Sequence, residues 1–145
     1  MKRFGMVIGA LAVLTAGAAQ AGDVVVELKD VQARGGVILA TLQTEAEFMK
    51  PAGKGQKVAP KAGAVTVTFK DVPAGDYVFS AFHDEDGDGR MKSAPTGIPS
   101  EGWAMTKGDS LRGPPVFAQV KVTIPAQGAK LSERMFYWDR VPPSQ

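Results

Sequence analysis

The sequence predicts an all-β protein: a single antiparallel two-sheet sandwich of about seven strands, with one short helix and one long loop. Apolar residues alternate with polar ones in most segments, which is the pattern of strands that bury one face. Turn signals rich in Pro, Gly and Asp separate these segments. The chain has no cysteine, so an apolar core rather than disulfides must hold the sandwich together.

The first half of the chain supplies two strands and the helix signal. Residues 24–28 alternate as a strand with one buried face, whereas residues 36–42 are apolar on both faces, as in a central strand. The stretch Thr44-Glu45-Ala46-Glu47 has the capping-box pattern and predicts a short helix that Pro51 stops. Residues 51–63, rich in Lys, Gly and Pro, are predicted to form a mobile loop.

The second half of the chain supplies the other strands and the long loop. The turn at residues 71–76 has the length of a hairpin link. Residues 90–115 have little periodicity and much Gly and Pro, and compact domains seldom carry such a loop without a use. The strands predicted here are residues 65–69, 77–82, 116–124 and 131–138.

The N-terminus predicts an exported protein. Lys2 and Arg3 precede an apolar run over residues 4–19, and Ala19-Gln20-Ala21 is a small-x-small cleavage pattern. The run is short for a membrane anchor, which needs about 20 residues, and no second candidate follows. We therefore predict a signal peptide at residues 1–21. Residues 22–145 would then be one periplasmic or secreted domain without an integral membrane segment.

The charge balance argues against a nucleic-acid partner. The chain has 17 Lys and Arg against 15 Asp and Glu, and Lys2 and Arg3 would leave with the signal peptide. The mature chain is then formally neutral and lacks the basic excess that binds phosphate backbones. Because there is no cysteine, a lipidated N-terminal cysteine is also excluded.

Four carboxylates occupy five consecutive positions in the segment HDEDGDGR, residues 83–90. Asp84, Asp86 and Asp88 alternate on a turn that a following glycine permits. Calcium takes six to eight oxygen ligands, so this spacing predicts a calcium site to which Arg90 adds its backbone carbonyl. The alternative is a solvated turn, since Asp and Gly are common turn formers and exposed carboxylates are screened by water and salt.

The rest of the acidic loop departs from an EF-hand. Lys92 stands at the ninth position and Pro95 at the twelfth, where a bidentate Glu belongs, and a strand rather than a helix leads into the loop. A missing ligand would have to come from water, from Glu101 or from Asp109. Such a site would bind calcium weakly, with a dissociation constant of about 10⁻⁴–10⁻³ M.

Catalytic interpretations are weaker than binding ones. His83 is the only histidine, zinc needs more nitrogen or sulfur ligands, and no Gly-x-Ser-x-Gly elbow is present. We therefore expect a protein that is not an enzyme, with a hydrolase using His83 and Asp84 as a distant alternative. Trp103 and residues 135–138 could stack on sugars or peptides, although alternate side chains of a strand normally enter the core.

Four blocks of sequence occur together in one order, and their combination is specific. They are Asp-Val-Pro-Ala-Gly-Asp-Tyr at 71–77, His-Asp-Glu-Asp-Gly-Asp-Gly at 83–89, Gly-Ile-Pro-Ser-Glu-Gly-Trp at 97–103 and Gly-Pro-Pro-Val-Phe at 113–117. From about Val24 to Tyr137 the chain resembles the exported bacterial family catalogued as domain of unknown function twenty-one forty-one. The resemblance implies a secreted or periplasmic Ig-like or transthyretin-like sandwich without an assigned reaction. The family usually carries Asp where this chain has Lys92.

The resemblance also implies that the acidic loop and the last two blocks share one end of the sandwich, where loops on rigid β scaffolds form binding surfaces. The predicted binding surface consists of His83, Gly97, Pro99, Glu101, Trp103, Pro114 and Phe117. The leading hypothesis is a non-catalytic periplasmic binding or accessory domain whose loop end is organised by weakly held calcium, with an unknown envelope protein or glycan as its partner. The alternative is an ion-independent structural or adhesive envelope module that binds protein or glycan.

Overall fold

The computed structural model describes residues 20–138, which form two β-sheets packed face to face. The strands are β1 (Ala21–Val31), β2 (Val37–Gln43), β3 (Lys54–Val58), β4 (Gly63–Pro73), β5 (Gly75–Asp84), β6 (Trp103–Met105), β7 (Val122–Ile124) and β8 (Ala129–Arg134). The helical elements within these residues are a 3-10 turn at Gly108–Ser110 and α1 (Phe117–Val120). The predicted all-β sandwich is confirmed. Most of the predicted signal peptide, residues 1–19, lies outside the described residues.

One sheet has three strands in the order β4-β1-β8, and the other has five, with β3-β2-β5-β6 in order and β7 also paired to β5. All pairings are antiparallel except that of β1 with β8, which is parallel, so the purely antiparallel prediction is wrong there. The link from β7 to β8 passes beside the start of β1: a Cβ on Gly22 would lie 2.2 Å from the carbonyl carbon of Gln127. Strand β8 therefore starts at the same end as β1.

The core lies between the inner faces of the two sheets. Val26 and Leu28 of β1 face Ile38 of β2, and all three side chains are fully buried. Phe69 of β4 and Phe79 of β5 meet edge to face across the layers, with ring centroids 6.1 Å apart. Burial of each such side chain contributes about 1.5–3 kcal/mol, so alternation along the strands is sufficient to drive the layers together.

The turn at residues 71–76 is not a hairpin, contrary to its prediction. Strand β4 pairs with β1 as far as Pro73, while β5 pairs with β2 in the other sheet. The short link therefore carries the chain from one layer to the other. Its length alone did not distinguish these two uses, because both need a tight reversal.

The predicted helix at residues 44–47 is also wrong, although its capping contact forms. The backbone N–H and hydroxyl of Thr44 donate to Oε2 of Glu47 at 2.9 and 2.8 Å. The side-chain amide of Gln43 donates to the carbonyls of Glu47, Lys50 and Ala52. These carbonyls are thereby satisfied within a compact turn, and the chain reverses into β3 without a helix.

Two further segments differ from their predictions. Residues 51–63, predicted as a mobile loop, contain β3, an edge strand paired with β2 whose mostly exposed side chains gave no apolar alternation. Residues 116–124, predicted as one strand, begin with α1. Phe117 and Val120 are three residues apart and both bury against Val78, which a helical turn allows.

Candidate apolar binding cleft

The outer face of the five-stranded sheet carries a largely apolar floor. Leu39 of β2, Phe82 of β5 and Trp103 of β6 lie side by side in register across three strands. In the adjacent row the hydroxyls of Thr41 and Ser80 lie 3.1 Å apart and hydrogen-bond to each other. Because one hydroxyl donates to the other, the row offers fewer free polar groups to a ligand than two separate hydroxyls would.

The long segment 91–115 folds back over this face and makes the walls. The Gly97–Pro99 and Gly113–Pro115 blocks border the same cavity, together with Met91 and Leu111. Met49 and Trp138 complete the rim from other parts of the chain. We call this cavity the apolar cleft. Its volume is about 830 Å³, within the roughly 300–1,000 Å³ typical of small-molecule sites.

Local hydrogen bonds hold the first of these walls, which contains the Gly97–Pro99 block, in place. The N–H of Ala94 donates to the carbonyl of Ile98, and that of Gly97 donates to the carbonyl of Ala94, both at 2.8 Å. Gly97 has φ of 81°, which favours glycine at this turn. The N–H of Ser100 donates to the carbonyl of Lys92 at 2.8 Å, which closes the base of the wall.

Trp103 is fixed between the cleft and the segment that follows β8. Its backbone N–H donates to the carbonyl of Phe136 at 3.0 Å, and the N–H of Phe136 donates back at 2.7 Å. The two rings lie with centroids 4.9 Å apart. A rigid tryptophan therefore forms one side of the cleft, as expected of an aromatic binding residue.

The structure brings together four of the seven residues predicted as a binding surface. Gly97, Pro99, Trp103 and Pro114 all border the apolar cleft. His83, Glu101 and Phe117 do not, because their side chains are buried in other parts of the fold. Phe117 packs with Val78, Val120 and Phe48 in a separate small cluster.

His83 belongs to an internal hydrogen-bond network beneath the acidic loop. Its side chain is fully buried on the inner face of β5. Nε2 lies 2.7 Å from the carbonyl oxygen of Gly35, so it donates there, and Nδ1 accepts from the Tyr137 hydroxyl at 2.9 Å. That hydroxyl also accepts from the N–H of Gln32 at 3.2 Å. Both ring nitrogens are thus engaged in holding the β1–β2 link against β5.

Close packing adds to this network. A Cβ on Gly102 would lie 2.2 Å from Cε1 of Tyr137, so only glycine fits there. The Arg34 guanidinium carbon lies 4.7 Å above the Tyr137 ring centre, and the same side chain reaches Glu85 at 3.4 Å. The acidic loop is therefore anchored on one side by stacked and hydrogen-bonded residues.

The acidic loop is built around the carboxylate of Asp84, which is only 2% exposed. Oδ1 accepts from the N–H groups of Gly87 and Asp88 at 2.8 and 3.1 Å, and Oδ2 accepts from that of Gly89 at 2.9 Å. The N–H of Arg90 donates to Asp88 at 2.8 Å. Backbone donors thus make most of the hydrogen bonds that shape this turn.

The carboxylates predicted to bind calcium do converge. Asp84, Asp86 and Asp88 each present an oxygen within 4.8 Å of the others, and the last two side chains are exposed. The ammonium group of Lys92 contacts Asp86 and supplies positive charge beside the cluster. Calcium binding here stays a prediction.

The two distant ligands proposed from the sequence are engaged elsewhere. Glu101 is buried, and its two carboxylate oxygens accept from the N–H groups of Glu85 and Lys92 at 3.1 and 3.0 Å. It therefore ties both ends of the acidic loop to the first wall of the apolar cleft. Asp109 lies instead near Glu133, and the two side chains border one crevice.

Sequence reasoning missed the group of charges around Glu133. Burial, and to a smaller extent the nearby Asp109, raises the pKa of Glu133 from 4.5 to about 7. The two acids border a crevice of about 280 Å³ with Lys29 and Phe136. The signal was available in the alternation, since Glu133 shares the half-buried side of β8 with Leu131.

Taken together, the described residues define a two-sheet β-sandwich with an apolar cleft on the outer face of one sheet and a self-bonded acidic loop at its edge. The chain belongs to the family described as uncharacterized protein conserved in bacteria (DUF2141), which it matches over residues 26–132. No curated protein and no solved structure matches the chain. Within residues 20–138, no helix has the length and apolar character needed to cross a membrane.

Proposed function

We propose that this protein is a non-catalytic, exported binding domain that takes up an apolar ligand in the apolar cleft. The observation that carries the proposal is the cavity of about 830 Å³, whose floor is the row Leu39–Phe82–Trp103. Large apolar surfaces that stay open to water on a folded domain mark sites where a ligand or a partner binds. The secretory pattern at residues 1–21 supports export.

The composition of the cleft supports binding rather than catalysis. Among the described residues that line it, the only ionisable side chain is that of Arg112, so the lining offers no general acid–base pair. His83 and Asp84, the residues of the hydrolase alternative, are buried and hydrogen-bonded within the scaffold. A glycan fits this site poorly, because sugars need polar partners that the cleft mostly lacks.

Tryptophan fluorescence tests the proposal directly. The chain has two tryptophans, Trp103 and Trp138, and both border the cleft. We expect saturable energy transfer from them to N-phenyl-1-naphthylamine, an uncharged apolar probe, in the purified mature protein.

A matched pair of variants locates the binding. Ser80→Phe places a ring on the floor of the cleft and should weaken probe binding at least tenfold. Thr66→Phe places the same ring at an exposed position of β4 and should leave binding unchanged. Absence of saturable binding in the parent, or equal affinity in Ser80→Phe, would contradict the proposed function.

A further inference from the structure

We propose that the ligand is a single-chain amphiphile with an anionic headgroup, whose alkyl chain fills the apolar cleft while Arg112 binds the headgroup. This inference rests on the proposed function and specifies its ligand. The observation behind it is a juxtaposition: the described residues that line the cleft are uncharged except for one guanidinium at its border.

Arg112 is exposed and forms no ion pair with the described carboxylates. Its Nη1 donates to the carbonyls of Asp109 and Leu111 at 3.1 and 2.9 Å. These two bonds hold the guanidinium near the backbone while its other N–H groups stay available. By contrast, Arg134 pairs with Asp30, and Arg34 reaches Glu85. Within residues 20–138, the cation at the cleft is therefore placed without a paired carboxylate.

The chemistry of the guanidinium sets the class of headgroup. A planar guanidinium binds carboxylates and phosphates through paired, charge-assisted hydrogen bonds. A cationic ligand would meet Arg112 as a like charge, and no acidic side chain of the described lining would compensate. A wholly neutral ligand would form no ion pair with Arg112.

The walls suit a flexible chain better than a rigid ring system. Met49, Met91 and Met105 all border the cleft. Methionine is unbranched and conformationally adaptable, so such a lining conforms to ligands of variable shape. The floor extends over three neighbouring strands, about 10 Å across, and presents a continuous apolar track from Leu39 to Trp103.

The test compares ligands that share a ten-carbon chain and differ in the headgroup. Affinities of decanoate, decyl phosphate, decanol and decyltrimethylammonium are measured below their micelle concentrations by tryptophan emission and calorimetry. Decanoate, decyl phosphate or both should bind at least tenfold more tightly than decanol, and decyltrimethylammonium should bind more weakly than decanol. Tighter binding of the carboxylate indicates a fatty acid, whereas tighter binding of the phosphate indicates a phospholipid-type headgroup.

Two arginine variants assign the headgroup site. Arg112→Gln should remove the preference for the anion, so that decanoate and decyl phosphate bind no more tightly than decanol. Arg90→Gln removes the same charge from an exposed residue that does not border the cleft, and should leave the preference intact.

The outcomes separate the inference from the proposed function. Equal binding of decanol and both anions, or equal loss of preference in the two arginine variants, would overturn the headgroup assignment while the apolar cleft remains a binding site. Failure of every ten-carbon ligand and of the uncharged probe would overturn both.

Discussion

The acidic loop at residues 84–90 lies at the edge of the sheet whose outer face carries the apolar cleft, but the two regions differ in how their groups are satisfied. In the loop, the carboxylate of Asp84 accepts three backbone N–H groups, so the most conspicuous charges of the sequence bond largely to their own chain. In the cleft, apolar side chains from distant segments face open space. The acidic motif, which is dense in the sequence, thus supports the fold. The candidate binding site is formed by residues that are far apart in the sequence.

The two regions are mechanically joined. Glu101 accepts from the N–H groups of Glu85 and Lys92, and the N–H of Ser100 donates to the carbonyl of Lys92. Residues 92–100, which include the wall formed by Gly97–Pro99, are therefore closed at their base by the bond between Ser100 and Lys92, and Glu101 connects this base to Glu85 of the acidic loop. The acidic loop therefore helps to hold this wall in position over the sheet.

We expect the largest effect when the central carboxylate of the acidic loop, that of Asp84, is removed. Asp84→Ala removes the buried carboxylate on which three backbone N–H groups converge, and should lower the free energy of unfolding by about 3 kcal/mol. Asp86→Ala removes the same group from an exposed position and should cost about 0.5 kcal/mol or less. Urea denaturation measures both. Similar small losses in the two variants would mean that the loop does not support the fold.

The network beneath the loop should give a smaller effect. Tyr137→Phe removes the hydroxyl that accepts from Gln32 and donates to His83, and we expect a loss of about 1–2 kcal/mol. Tyr77→Phe is the matched control, since that hydroxyl makes one bond, to the carbonyl of Pro73 at 3.0 Å. It should cost less than Tyr137→Phe in the same urea titration. A larger loss in Tyr77→Phe than in Tyr137→Phe would contradict a stabilising role for the hydrogen bond between His83 and Tyr137.

The sequence was informative where burial follows a strand period. The alternation at residues 24–28 and 65–69 predicted strands because each has one face in the core. The same reasoning failed for β3, whose exposed edge has no such pattern, and for residues 117–120, where the alternation of Val116, Ala118 and Val120 indicated a strand although Phe117 and Val120 share one face only in a helical turn. Local pattern therefore predicts core-forming strands better than edges and short turns.

The candidate site shows the same limit over longer distances. Gly97, Pro99, Trp103 and Pro114 were predicted to lie together, and they do border the cleft. Arg112 was missed because no local pattern marks which exposed cation will face a cavity. Leu39 and Phe82 lie in two predicted strands whose sequences are apolar on both faces, so their outward apolar side chains were expected. What covers their outer face depends on how the long segment folds back, which no short motif encodes.

Protonation of Glu133 should affect stability outside the acidic loop and the cleft, at the crevice that Glu133 shares with Asp109 of the 3-10 turn. Its raised pKa means that, from pH 4.5 to about 7, the unfolded chain releases a proton that the folded chain keeps. The free energy of unfolding should therefore fall as pH rises through this window, and stay lowered above it. Because Glu133 is only partly buried, we expect a loss of about 1 kcal/mol.

The variant Glu133→Gln isolates this effect. It should be more stable than the parent at pH 8 and nearly equal to it at pH 4, as measured by urea denaturation at both values. Glu27→Gln, at an exposed position of β1, should give the same small difference at both pH values. A Glu133→Gln effect independent of pH would show that the carboxyl group does not titrate in this window.

The smallest expected effect concerns calcium, and it tests whether the acidic loop has any use beyond support. Asp84 is already occupied by backbone donors and Lys92 contacts Asp86, so an ion would have to compete with both. At twice the dissociation constant, calcium would stabilise the parent by about 0.6 kcal/mol. Lys92→Asp removes the competing ammonium and adds an oxygen ligand, so calcium should raise its melting temperature more than that of the parent, measured against chelator with magnesium as control. If calcium shifts neither protein, the loop is a solvated turn, and the cleft is the better candidate for ligand binding at this end of the molecule.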